Sequence, residues 1–171
     1  TLALASGAFH SAAFAEVVYN RGSAAEPETV DPHKTSTVYE AHVLRDLFEG
    51  LVMQDAKADL IPGAAESWTI SDDGKTYTFK LRKDAVWSDG SPVTAEDFVY
   101  AFRRLEDPAT GAEYASMLYP VVKAEDVNKG KAKPEEMGIK AIDPLTLEVK
   151  LNAPTPYFLE MLTHQAAYPV N

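Results

Sequence analysis

The sequence predicts an α+β fold, and three observations carry that prediction. Two segments have the alternation and turn chemistry of β-hairpins. A capped amphipathic helix stands between them. The regular strand–helix alternation of a parallel sheet is missing.

In chain order, Thr1 to Phe14 is small and apolar, and Ala13-Phe14-Ala15 resembles a signal-peptidase site. The expectation is a signal-peptide remnant over residues 1–15, cleaved near Ala15-Glu16, with a short buried helix as the alternative. A mature chain starting near Glu16 belongs in an exported compartment such as a periplasm. Glu16–Asn20 reads as a first strand, and Gly22–Pro32 as an irregular connection. Thr37 and Glu40 have capping-box spacing, and Val43, Leu44, Leu47 and Phe48 form an apolar stripe ending at Gly50. Arg45 and Asp46 fall on the other, solvated face.

Leu51–Gln54 is strand-like, and Leu60–Trp68 passes through Pro62-Gly63. Trp68–Ser71 and Thr76–Arg82 then alternate about Asp72-Asp73-Gly74-Lys75, which puts Tyr77, Phe79 and Leu81 on one face. Trp87 is expected to cap that core. Asp89-Gly90 marks a turn, and Thr94 with Asp97 a second capping box. Phe98, Ala101, Phe102 and Leu105 recur at helical spacing until Asp107-Pro108. Tyr114–Tyr119 reads as a short helix and Lys129–Pro134 as a polar loop. Ile139–Ile142 and Leu145–Leu151 form a hairpin about Asp143-Pro144. Pro154–His164 reads as a helix opened by proline, with Phe158, Leu159, Met161 and Leu162 on its buried side.

Composition excludes several functions. The 171 residues carry 26 acidic and 16 basic side chains, a formal charge of −10, so no basic stripe is available for nucleic acid. With no cysteine there is no disulfide, thiolate metal site or cysteine nucleophile in this chain. His10, His33, His42 and His164 are scattered, without metal-site spacing. No nucleophile elbow or glycine-rich phosphate loop is present. The acidic pairs Asp72-Asp73, Glu96-Asp97 and Glu135-Glu136 are sequence neighbours that point different ways, which makes poor acid–base dyads. Neither an enzyme nor a cofactor is expected.

The segment from Trp87 through Asp89-Gly90-Ser91-Pro92-Val93-Thr94 to Phe102 resembles the signature of the peptide-binding family of extracellular solute-binding proteins, the receptors of ABC importers. Asp31-Pro32-His33-Lys34, Arg45-Asp46-Leu47-Phe48-Glu49-Gly50-Leu51, Pro62-Gly63-Ala64-Ala65-Glu66-Ser67-Trp68 and Pro154-Thr155-Pro156-Tyr157-Phe158 fit the same family in order. The likeness covers Val17 to Asn171 and is nearest to oligopeptide- and murein-peptide-binding proteins of Gram-negative bacteria.

The resemblance implies part of a two-lobed clamp that encloses an extended peptide and passes it to an inner-membrane permease. It implies a first-lobe segment over 16–48, a family-specific extra domain over 49–165 and a return to the first lobe over 166–171. A protein of this kind is a monomer when complete and needs no cofactor. Carried over residue by residue, Tyr114 matches a tyrosine that touches bound peptide, and Ser36 and Val38 match a loop whose backbone flanks it. The family often has an acidic residue where Ser36 stands. Relatives on this fold also take dipeptides, nickel chelates, haem or sugars, so the ligand class stays open. A standalone secreted interaction domain is the alternative from another class.

Overall fold

The structure, a computed structural model, describes residues 18, 22–23 and 25–171. The signal remnant expected over 1–15 and, apart from Val18, the strand expected over Glu16–Asn20 lie outside the described residues.

Helix α1 (Val38–Leu47) starts at the expected capping box, with Thr37 extended at φ −116° and ψ 158°. Its covered side is Glu40, Ala41 and Leu44, whereas Leu47 is 62% exposed and Val43 and Phe48 are half-buried. The expected stripe is therefore rotated. Amide donors around the helix start draw the Glu40 carboxylate inward, and the covered face turns with it.

Strands β1 (Val52–Gln54) and β2 (Leu60–Pro62) pair antiparallel. Behind them the backbone crosses itself closely. A Cβ on Gly63 would lie 2.4 Å from the Gly50 carbonyl oxygen. One on Gly50 would lie 3.0 Å from the Tyr168 ring and 3.2 Å from the Leu162 carbonyl. Glycine is required at Gly63 because the obstacle is rigid backbone.

Strands β3 (Ala65–Ile70) and β4 (Thr76–Leu81) form the first expected hairpin, and Gly74 takes φ +67° at its turn. Strands β5 (Ile139–Asp143) and β6 (Thr146–Lys150) form the second. What local pattern did not reveal is that β4 also pairs antiparallel with β6, giving one four-stranded sheet in the order β3-β4-β6-β5. Tyr77, Phe79, Leu81, Leu147 and Val149 are buried on its covered face, as the alternation predicts.

Helix α2 (Ala95–Glu106) packs on β5 and β6, burying Phe98, Ala101, Phe102 and Leu105 completely. Its start is pinned twice. The Asp97 carboxylate accepts from the Thr94 N–H at 2.6 Å and its hydroxyl at 3.1 Å. The Ala95 N–H donates to the Pro144 carbonyl in the second hairpin's turn, at 2.9 Å. Half-buried Trp87 packs against this core and donates from its indole to Asp97 at 3.4 Å.

The remaining helices are short. Tyr114 precedes a 3-10 turn over Ala115–Leu118, and a five-residue helix α3 (Ala124–Asn128) appears where no element was expected. The long helix expected over Pro154–His164 is reduced to one turn, α4 (Phe158–Met161). Thr155 precedes Pro156, which disfavours helical backbone there. Its carbonyl is also taken by the Tyr77 hydroxyl at 3.2 Å and the Phe158 N–H at 3.0 Å. Phe158, Leu159 and Leu162 are buried as expected, and Met161 is half-buried. Among the described residues, no helix is long and apolar enough to cross a membrane.

Candidate functional site

Where the segment leading into α1 meets the rest of the fold, Glu40 is the organising group. It is 3% exposed, and one carboxylate oxygen accepts from the Ser36 N–H, the Thr37 N–H and the Thr37 hydroxyl, each at 3.0 Å. The other accepts from the Glu28 N–H at 3.3 Å. These donors, that of Thr37 foremost, hold the carboxyl below the usual range. The result is a fixed, extended stretch at Ser36-Thr37 ending in the first turn of α1.

Tyr114 reaches this stretch from the far side of the sequence. Its hydroxyl donates to the Ser36 carbonyl at 3.4 Å, and its ring lies 4.7 Å from that of His164, tilted by 57°. Burial, and after it the charge of Arg45, keeps His164 neutral to lower pH than a free histidine. The His164 imidazole accepts from the Ala166 N–H at 3.2 Å. Tyr114 and Ser36 are thus brought together as a pair. Val38, two residues on, is 65% exposed. Its backbone N–H, at the first position of α1, has no acceptor among the described residues, as the first amides of a helix do not.

A second cluster was not visible in the sequence. Arg104 of α2 makes a two-pronged contact with Asp31, at 2.9 and 2.5 Å, and donates to Nδ1 of His33 at 2.7 Å. Arginine has no acceptor, so Nδ1 must offer its lone pair. Nε2 then carries the hydrogen and donates to the Tyr168 carbonyl at 3.3 Å. His33 is 1% exposed, and burial with the adjacent guanidinium pushes its pKa down to about 4. The hydrogen bond from Arg104 likewise lowers Asp31. Asp31 and Arg104 lie 73 positions apart, and nothing in their local spacing announces the contact.

The grooves of the surface lie away from Tyr114, Ser36 and Val38. One of about 550 Å³ runs between Leu47, Phe48, Val86, Trp87 and Pro169. A neighbour of about 640 Å³ shares Phe48 and Trp87 with it and is lined by Asp31 and Arg104. Neither is lined by Tyr114, Ser36 or Val38. No group of three or more metal-ligating side chains occurs among the described residues.

This architecture has close relatives. The 156-residue match to the periplasmic oligopeptide-binding protein OppA of Haemophilus influenzae is 51% identical and covers 90% of this chain and 28% of the relative. A crystal structure of that protein in complex with RPPGFSPFR superposes with a TM-score of 0.84 at 52% identity, over 86% of this chain and 29% of the other. The periplasmic murein peptide-binding protein MppA of Escherichia coli is 43% identical over 85% of this chain and 27% of its own. The chain therefore spans under a third of the length of these relatives, which are binding proteins and not enzymes. The model of bacterial extracellular solute-binding proteins, family 5 (middle part), matches residues 59–171, most of the folded sequence. The chain belongs to the bacterial extracellular solute-binding proteins of family 5.

Proposed function

We propose that this chain is part of the solute-binding subunit of an ABC importer that captures oligopeptides, murein peptides among them, in the periplasm. The subunit then delivers them to an inner-membrane permease. It acts as a monomer without a cofactor. Residues 1–15 are signal-peptide sequence, 16–48 belong to the first lobe, 49–165 form the extra domain and 166–171 return to the first lobe.

One observation carries the reading: the Tyr114 hydroxyl sits on the Ser36 carbonyl beside an exposed stretch whose next free amide is that of Val38. An extended ligand needs an unpaired main-chain donor and a flat aromatic wall, with no demand on its own side chains. Val38 supplies the donor and Tyr114 the wall, with the Ser36 carbonyl holding the Tyr114 hydroxyl.

The test is calorimetric titration of the full-length protein with RPPGFSPFR and with pooled random pentapeptides. Tyr114→Ala is expected to weaken binding by about 1–2 kcal/mol, the scale of a truncated interface tyrosine. Unchanged affinity across several peptides would remove Tyr114 from the site. A wild-type protein that ignores peptides but takes up a nickel chelate, haem or a sugar would keep the fold and move the ligand class.

A further inference from the structure

We propose that Asp31, His33 and Arg104 form a positioning latch: they clamp the stretch that carries Ser36 and Val38 onto α2 and so set where that stretch stands relative to Tyr114. The inference rests on the peptide-receptor reading and extends it to residues that act by positioning the Ser36–Val38 stretch.

The geometry is specific. The Ser36-Thr37 stretch is held at its downstream end by Glu40, through the Ser36 and Thr37 amides. At its upstream end the chain is tied by Asp31 and His33. The Asp31 carboxylate takes both prongs of Arg104 and also accepts from the His33 N–H at 3.1 Å, which closes a tight turn. The Thr35 hydroxyl donates to the Pro32 carbonyl at 3.3 Å within the same turn. Arg104 is itself anchored, because the Thr110 hydroxyl donates to its backbone carbonyl at 2.6 Å. His33 extends the clamp to a third segment through the Tyr168 carbonyl. The Ser36 carbonyl is therefore fixed between two anchored ends, and Tyr114 meets it there.

A planar, five-donor guanidinium is the group that can serve a carboxylate fork and an imidazole lone pair at once. A lysine ammonium supplies a point charge with no fork, so it would hold Asp31 without fixing the angle of the turn. The charged and titratable groups around His33 are Asp31 on its own segment and Arg104 on α2, while Tyr168 faces it with a backbone carbonyl. Tyr100 of α2 also lies within electrostatic reach of Arg104.

The experiment compares wild type with Arg104→Lys, Arg104→Gln and Asp31→Asn in the full-length protein. The affinity for RPPGFSPFR is measured well below every variant's unfolding temperature, alongside amide hydrogen exchange resolved by residue. The expected result is a roughly tenfold loss of affinity in Arg104→Gln and Asp31→Asn, partly recovered in Arg104→Lys, with the Ser36 and Thr37 amides exchanging at least tenfold faster. Amides of β4 and β6 are expected to speed up by no more than the loss of global unfolding stability accounts for. Combining Arg104→Gln with Tyr114→Phe is expected to cost less than the product of the two single losses, because both act through one contact.

Wild-type affinity in Arg104→Gln overturns the latch, as does lost affinity with unchanged exchange at Ser36 and Thr37. Exchange at Ser36 and Thr37 that rises by no more than the loss of global stability accounts for also overturns it, since the cluster would then only support folding. If the wild-type protein binds no peptide, the functional reading fails and the exchange comparison alone decides the latch.

Discussion

On the last turns of α2, two charged side chains two residues apart lie in opposite settings. Arg104 is enclosed by partners, a carboxylate fork and an imidazole nitrogen. Glu106 is completely buried, and neither of its carboxyl oxygens has a hydrogen-bond partner among the described residues. Burial alone raises its pKa to about 8. Arginine cannot shed its proton, so a partly buried guanidinium must be met by counter-charge. A carboxyl has the other way out and becomes neutral. The same helix thus contains a charge that is answered and a charge that is suppressed.

The largest expected effect comes from breaking the answered one. Arg104→Met leaves Asp31 facing a buried histidine with no cation between, and a loss of about 3 kcal/mol in urea-unfolding stability at pH 7 is expected. A loss below about 0.5 kcal/mol would mean that solvent screens the pair and that the contrast with Glu106 is only apparent.

Removing the suppressed charge should do the reverse. Glu106→Leu deletes an unpaired buried carboxyl, and a gain of about 2 kcal/mol at pH 8 is expected. The pH dependence follows from proton counts. Folded Glu106 keeps its proton until about pH 8, while the unfolded chain releases it near 4.5, so Glu106 makes stability fall as pH rises between those values. His33 acts with the opposite slope. Folded, it binds a proton only near pH 4, against 6.5 unfolded, so its contribution is complete above 6.5 and is lost as pH falls towards 4. Wild-type stability should decline from pH 6.5 to 8, and Glu106→Leu should flatten that decline. A decline equally steep in the variant would place its origin in another group.

The smallest effect sharpens the comparison at the other end of the helix. Asp97→Ala removes the acceptor for the Thr94 amide and hydroxyl, for a loss of about 1 kcal/mol. Thermal melts would resolve it, and a loss as large as that of Arg104→Met would show that the helix start outweighs the Asp31 contact.

Legibility in the sequence followed the range of the interaction. Both hairpins, both capping boxes and the Phe98–Leu105 face were readable because turn chemistry and periodicity act within about ten residues. The β4–β6 pairing that fuses the hairpins was not, since alternation says which face is covered but not which strand lies alongside. The Thr37–Glu40 capping box is present as expected, but Leu47 was placed in the covered stripe and is exposed, and the donors that draw Glu40 inward include the Glu28 amide from outside the helix. Of the candidate site, Tyr114, Ser36 and Val38 were nominated by family likeness, and their residue types alone would not have singled them out. Tyr114 lies 78 positions from the carbonyl it meets, Arg104 and His33 pair across 71, and nothing in the local sequence marks Glu106 as buried.

The close approach of Gly50 to Leu162 and Tyr168 bears on how such a molecule is assembled over evolutionary time. The backbone passes Gly50 and comes back to the same spot more than a hundred residues later. The two ends of that stretch therefore touch. A stretch whose two ends touch can be gained, lost or exchanged in a single genetic event without bending the host backbone. Gly50 marks how closely the ends approach, and a side chain there would press on the Tyr168 ring and the Leu162 carbonyl.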